Sequence, residues 1–138
     1  MIDERTGLPL SSIPVLETGE TYIYVMLNTC GKIKIGKSKN IQQRYLSLSG
    51  SNSQGNAIVK VYCSPPTFLH SLERILQNRF SAGRLKGTEW FLGQSITFSS
   101  VTAALEELFN SKDYERCNEI RKNIYQTNKC NNPTELTS

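Results

Sequence analysis

Histidine occurs once, at His70, and none of the four cysteines (Cys30, Cys63, Cys117, Cys130) stands in a C-x-x-C pair. Structural zinc sites draw on closely spaced Cys and His ligands, so this chain offers no zinc pattern. An even cysteine count would permit disulfides in a secreted protein, but nothing else points to secretion; in a reducing compartment these are ordinary thiols. Long apolar runs are also missing. The longest, Tyr22 to Leu27, falls far short of the roughly 20 residues that cross a bilayer. At the N-terminus Asp3, Glu4 and Arg5 have no apolar segment behind them, which is not the pattern of a secretory leader. The expectation is a cytoplasmic protein that makes no membrane contact. There is no internal repeat and no low-complexity block.

Acid is scarce where it matters most. Between Thr21 and Thr88 there are ten basic residues and a single acid, Glu73. The rest of the chain carries six basic residues and eleven acids, so the net charge of +4 hides a strongly basic segment between acidic flanks. Such a segment fits a polyanion partner, most simply nucleic acid, although a basic solvated surface reads the same way.

The 138 residues suit one domain with a modest core. Residues 1–20 read as an irregular arm, with Ile13 to Leu16 able to add a short strand. Tyr22 to Leu27 and the alternating Lys32 to Gly36 form a hairpin across the turn Asn28-Thr-Cys-Gly31. Ile33 and Ile35 belong to the core, which places Tyr22, Tyr24 and Met26 on the same, solvent-facing side as Lys34. Ser38 or Asn40 caps a helix through Ile41, Tyr45 and Leu48 that carries Arg44. Ser49 to Asn56 is a loop, Ala57 to Tyr62 a third strand, and Thr67 caps a helix from about Phe68 to Phe80 with Glu73 at the edge of its apolar stripe. Ser99 or Ser100 caps a helix through Val101, Leu105, Leu108 and Phe109, and a polar helix follows from Tyr114 to Tyr125. The resulting fold class is α/β (α+β): a small three-stranded antiparallel sheet flanked by helices. The divisions are an arm at 1–20, the main domain at 21–110, a C-terminal helix at 111–127 and a disordered tail at 128–138.

Four fragments occur in order: Tyr22-Ile23-Tyr24, Lys34-Ile35-Gly36-Lys37-Ser38 followed by Arg44, Leu72-Glu73, and Glu89-Trp90-Phe91. This series resembles the GIY-YIG nuclease superfamily, and within it the branch of phage, microbial and fungal proteins with a Lys-Ile-Gly second motif. The resemblance covers about Thr21 to Gly93. Tyr22 stands where glycine is usual, Lys34 where tyrosine is usual, and Gln77 where a histidine often follows the glutamate. The resemblance implies a divalent-metal-dependent endonuclease acting on DNA, with RNA left open, and with Mg²⁺ or Mn²⁺ as cofactor. Tyr24 would take or relay the proton of the attacking water, Lys34 and Arg44 would stabilise the phosphate, and Glu73 would hold the metal.

The residue types suit that chemistry. A hard carboxylate is what Mg²⁺ or Mn²⁺ needs, and the guanidinium of Arg44 is a planar fork for phosphate oxygens. A phenol with an ordinary pKa near ~10 needs a neighbour such as Lys34 or a metal to lower it. Tyr22, Lys37, Lys39, Arg84 and Lys86 are the expected nucleic-acid contacts. Apart from the resemblance, Tyr24 also reads as a cross-strand packing residue, Arg44 as a solvated helix arginine and His70 as structural. Trp90 and Phe91 read better as core than as a base-stacking pair. Two other functions stay open: a nucleic-acid-binding module on an inactive nuclease scaffold, and a protein-interaction domain of phage or mobile-element origin. One active site per chain means that cutting both strands would need a homodimer or two visits.

Overall fold

The computed structural model describes residues 1–17, 19–50 and 57–130. Four strands form one antiparallel sheet in the order β3-β1-β2-β4: β1 is Tyr22–Asn28, β2 Ile33–Ser38, β3 Ile58–Cys63 and β4 Trp90–Phe91. The expected hairpin is present. Tyr24 pairs with Gly36 and Met26 with Lys34. Gly31 takes φ +82 at the turn, a conformation that suits glycine. The Asn28 side chain accepts the amides of Cys30 and Lys32. The sheet has one strand more than expected, because Trp90 and Phe91 pair with Lys34 and Ile33. Two residues are too short to give a strand signal, and only the neighbouring β2 makes them one.

Among the described residues four helices flank the sheet: α1 Ile41–Gly50, α2 Leu72–Arg79, α3 Phe98–Phe109 and α4 Tyr114–Cys130. One face of the sheet offers Ile23, Val25, Ile33, Ile35, Tyr62 and Phe91 to α2 and α3, which contribute Leu72, Leu76, Val101 and Leu105. Phe91 is completely buried there, in line with its core reading.

The opposite face corrects the sequence reading. Tyr22, Tyr24 and Met26 are not on a solvated surface; all three are buried with Leu10, Ile41, Ile58 and Val61 in a second core. The cause is the N-terminal arm together with α1, which roof this face. A short 3-10 helix, Leu10–Ser12, brings Leu10 onto the sheet. Ile13 to Leu16 form no strand; instead the Leu16 amide donates to the Lys39 carbonyl.

The arm is fastened by Asp3. Its side chain, fully buried, accepts the Cys63 amide at 2.8 Å, and Arg5 donates to the Cys63 carbonyl. The Glu4 amide donates to the Val61 carbonyl. The free edge of β3 is therefore covered.

Helix boundaries differ from expectation in instructive ways. Asn40 caps α1 through the Gln43 amide, as expected. That helix runs to Gly50, so Ser49 and Gly50 are helical, while the remainder of the expected loop, 51–56, lies outside the described residues. The Thr67 hydroxyl accepts the Leu69 amide in a turn, so α2 begins only at Leu72. Thr97, not Ser99 or Ser100, caps α3, in a reciprocal capping box with Ser100. The C-terminal helix continues to Cys130, past the start of the expected tail; 131–138 lie outside the described residues.

Asp3→Ala leaves the buried Cys63 amide without its acceptor. Such a loss costs about 1–3 kcal/mol. Urea unfolding should show that decrease in stability with an unchanged slope against denaturant.

Candidate active site

β2 brings the chemistry together at its C-terminal end. Gly36 faces Tyr24 across the hairpin, and the phenol end of Tyr24 fills the space where any Cβ at position 36 would stand. Next along the strand, the Lys37 backbone amide donates to the Glu73 carboxylate. Glu73 sits in the first turn of α2. Gly36 is thus the place where a residue of one sheet face, Tyr24, comes under the influence of a residue from the helix layer on the other face, Glu73. Arg44, exposed on α1, also acts on Tyr24.

The electrostatics follow from this crowding. Burial pushes the Tyr24 phenol up to about 12, against a pull downward from Arg44 and further upward pushes from Glu89 and Glu73. Burial also raises the Glu73 carboxyl above the usual carboxylate range. Glu89 adds to that rise, while Lys37 and Lys34 oppose it. Tyr24 is therefore a neutral phenol at pH 7. The cation that eases its ionisation is Arg44.

Lys34 has another partner. Its ammonium meets the Glu89 carboxylate at 2.9 Å and lies 5.9 Å from the centre of the Trp90 ring. Its pairing with Glu89 offsets its charge, which leaves Arg44 as the stronger influence on the phenol. Lys34 and Glu89 line an open groove of about 630 Å³ together with Arg84, Gly87, Thr88 and Trp90. The sequence reading treated Glu89 only as part of a closing motif. Its nearness to Lys34 in β2 is a consequence of the β4 pairing, which sequence spacing does not reveal.

The other expected contacts separate into two groups. Lys37, Lys39, Arg84 and Lys86 are exposed. The Arg84 Nε donates to the Thr88 carbonyl at 2.8 Å, which fixes the guanidinium near the groove. Tyr22 does not belong with them: it is buried, and its hydroxyl donates to the Pro14 carbonyl at 2.6 Å. The arm that covers it makes it a core residue. Gln77 is buried too, and its amide donates to the Ile35 carbonyl at 2.9 Å. It ties α2 to β2 and so holds Glu73 in position. His70 is structural, as one reading had it: Nε2 donates to the Gly19 carbonyl at 2.8 Å.

Among the described residues no three His, Cys, Asp or Glu side chains gather in a way that could hold a metal ion. Mg²⁺ and Mn²⁺ do not require such a cage, because Mg²⁺ commonly binds through one or two carboxylates with water and substrate phosphate completing the shell. Glu73, raised in pKa partly by a second carboxylate, is a fitting donor for a divalent cation. No helix among the described residues is long and apolar enough to cross a membrane.

Residues 21–124 match the family described as the T5orf172 domain. The chain belongs to that family. The match runs from β1 into α4, so the T5orf172 domain here includes most of the C-terminal helix. No curated protein and no solved structure matches the chain.

Two outcomes test this geometry. Gly36→Ala puts a methyl group into the Tyr24 ring. Overpacking of this kind costs typically about 1–3 kcal/mol, readable as a lower unfolding midpoint. Glu73 binds its proton more tightly folded than unfolded, so ionising it lowers stability as pH rises through the carboxylate range. Glu73→Gln should therefore exceed the parent in stability at pH 7, and the gain should vanish below about pH 4, where the glutamic acid is neutral in both states. Thermal unfolding across pH measures both trends.

Proposed function

We propose that this T5orf172 domain is a divalent-metal-dependent endonuclease of GIY-YIG type that hydrolyses phosphodiester bonds in DNA. One observation carries the reading: Arg44 and Glu73, from two different helices, both act on the phenol of Tyr24, which fills the space at Gly36. The relation of the family to GIY-YIG-like nuclease domains supports it. So does the basic character of residues 21–88, where Glu73 is the sole acid.

Each residue has a role that its environment suits. Glu73 would hold Mg²⁺ or Mn²⁺, which when bound supplies positive charge to the phosphate and to the departing oxygen. Arg44, exposed beside Tyr24, takes the non-bridging phosphate oxygens with its paired donors. Tyr24, a neutral phenol at working pH, orients the attacking water. It passes the proton on only as the cations around it stabilise the phenolate. Lys34 reaches the phosphate by exchanging Glu89 for it. Such an exchange of one anion for another keeps the lysine's charge paired throughout. Lys37, Lys39, Arg84 and Lys86 hold the backbone at a distance from the reacting atoms. With one such site per chain, cutting both strands takes a homodimer or two visits.

A second reading, a nucleic-acid-binding module without cleavage, draws on the Lys34–Glu89 ion pair and on the structural use of Gln77. One assay separates the two. Supercoiled plasmid and a labelled single strand are incubated with EDTA, Mg²⁺ or Mn²⁺, with the parent protein or Glu73→Ala. The endonuclease predicts metal-dependent nicking that falls about 10³-fold or more in Glu73→Ala, since metal stabilisation is worth several kcal/mol. Salt-sensitive binding without cutting under any metal would establish the binding module instead.

A further inference from the structure

A second recess lies where α4 meets the segment before α2, a cleft of about 410 Å³ lined by residues that include Gly19, Phe68, His70, Ser71, Arg121 and Tyr125. Its floor is apolar. The Phe68 and Tyr125 rings lie 5.9 Å apart, and a Cβ at Gly19 would fall 2.7 Å from the Tyr125 ring. Helix α4 is held here by its Asn118 side chain, which accepts the Phe68 amide at 2.7 Å. The Tyr114 hydroxyl adds a second tie, donating to Thr67 at 2.9 Å.

Its polar lining includes His70, Ser71 and the cationic Arg121. The Gly19 carbonyl can only accept, so His70 Nε2 carries the proton and Nδ1 offers a lone pair to the Lys37 ammonium, 3.4 Å away. The histidine thus holds Lys37 next to the cleft wall. Arg121, which lines the cleft, is exposed and makes no ion pair among the described residues. Ser71, exposed and part of the cleft lining, stands two residues before Glu73 in the chain.

We propose that this cleft holds a backbone phosphate of bound nucleic acid next to the one at the active site, between Lys37 and Arg121. The Ser71 hydroxyl donates to the same group, and the sugar rests on Tyr125. The inference rests on the nucleic-acid reading given above and extends its track onto α4. Charge complementarity supports a polyanion. Continuity supports the same strand, because Lys37 adjoins both places: its ammonium lies 3.4 Å from His70, a residue of the cleft wall, and its backbone amide donates to Glu73. The family match, which reaches residue 124, includes Arg121 in the domain.

The test is equilibrium binding of a labelled duplex of about 20 base pairs, and of a single strand of the same length, by fluorescence anisotropy in EDTA. Parent, Arg121→Ala and Arg121→Glu are compared across salt concentrations, with Arg79→Ala as an exposed α2 control. One phosphate contact corresponds to about 0.9 in the slope of log K against log salt on duplex. Arg121→Ala should weaken binding about tenfold and lower the slope by about one, Arg121→Glu should do more, and Arg79→Ala should do neither. Unchanged affinity and slope in both Arg121 variants would overturn the cleft assignment, even for a protein that nicks plasmid. Competition by inorganic phosphate that Arg121→Glu abolishes, with duplex affinity unaffected, would also overturn it in favour of a free-anion site. Arg121-dependent binding by a protein that cuts nothing would uphold the cleft while removing the nuclease.

Discussion

Burial of both faces of β1 is the constraint on which the architecture depends. From Tyr22 to Met26 every side chain of this strand is at most 3% exposed, so each face of the sheet needs a cover. On one side α2 and α3 supply it with ordinary apolar stripes. On the other the cover is assembled from α1 and an irregular arm, and it holds because Asp3 satisfies a backbone amide of β3. A buried carboxylate with several donors is stable where an unpartnered one would not be. The arm is consequently part of the domain's second core rather than a leader to it.

The candidate site is organised around a glycine in this two-sided packing. At Gly36 the sheet carries no side chain, and Tyr24 turns its phenol into that space. Arg44 comes from the roof over that face, Glu73 from α2 on the other, and their fields meet at one hydroxyl. The same burial that organises the tyrosine also opposes its ionisation, so Arg44 and any bound cation must offset both desolvation and two neighbouring carboxylates. Perturbed acids and bases tend to gather at functional sites, and Tyr24 and Glu73 are both perturbed here.

Gln77 and Glu89 show how side chains outside the expected set act through others. Gln77 gives its amide to the β2 backbone and so fixes the helix that carries Glu73. Glu89 holds Lys34 against Trp90, so the lysine waits in a paired state. A surface pair of this kind is worth little to stability; on the function proposed above, its significance lies in which anion the lysine faces once nucleic acid binds.

The sequence by itself determined the hairpin and which residues share a face, since alternation in Lys32 to Gly36 puts Ile33 and Ile35 on one side and a one-residue slip would reverse it. It determined the placement of Glu73 on a helix and of Arg44 after an Asn40 cap, because local hydrogen bonding and helical spacing are written in neighbouring residues. Tertiary structure alone decided that Tyr22 and Tyr24 are covered, because the cover comes from an arm with no periodic signal. It also decided that Trp90 and Phe91 form a strand and that Lys34 faces Glu89, the latter across 55 residues. Local patterns specify which side of an element is apolar. What lies against that side is settled only when distant segments compete to bury it.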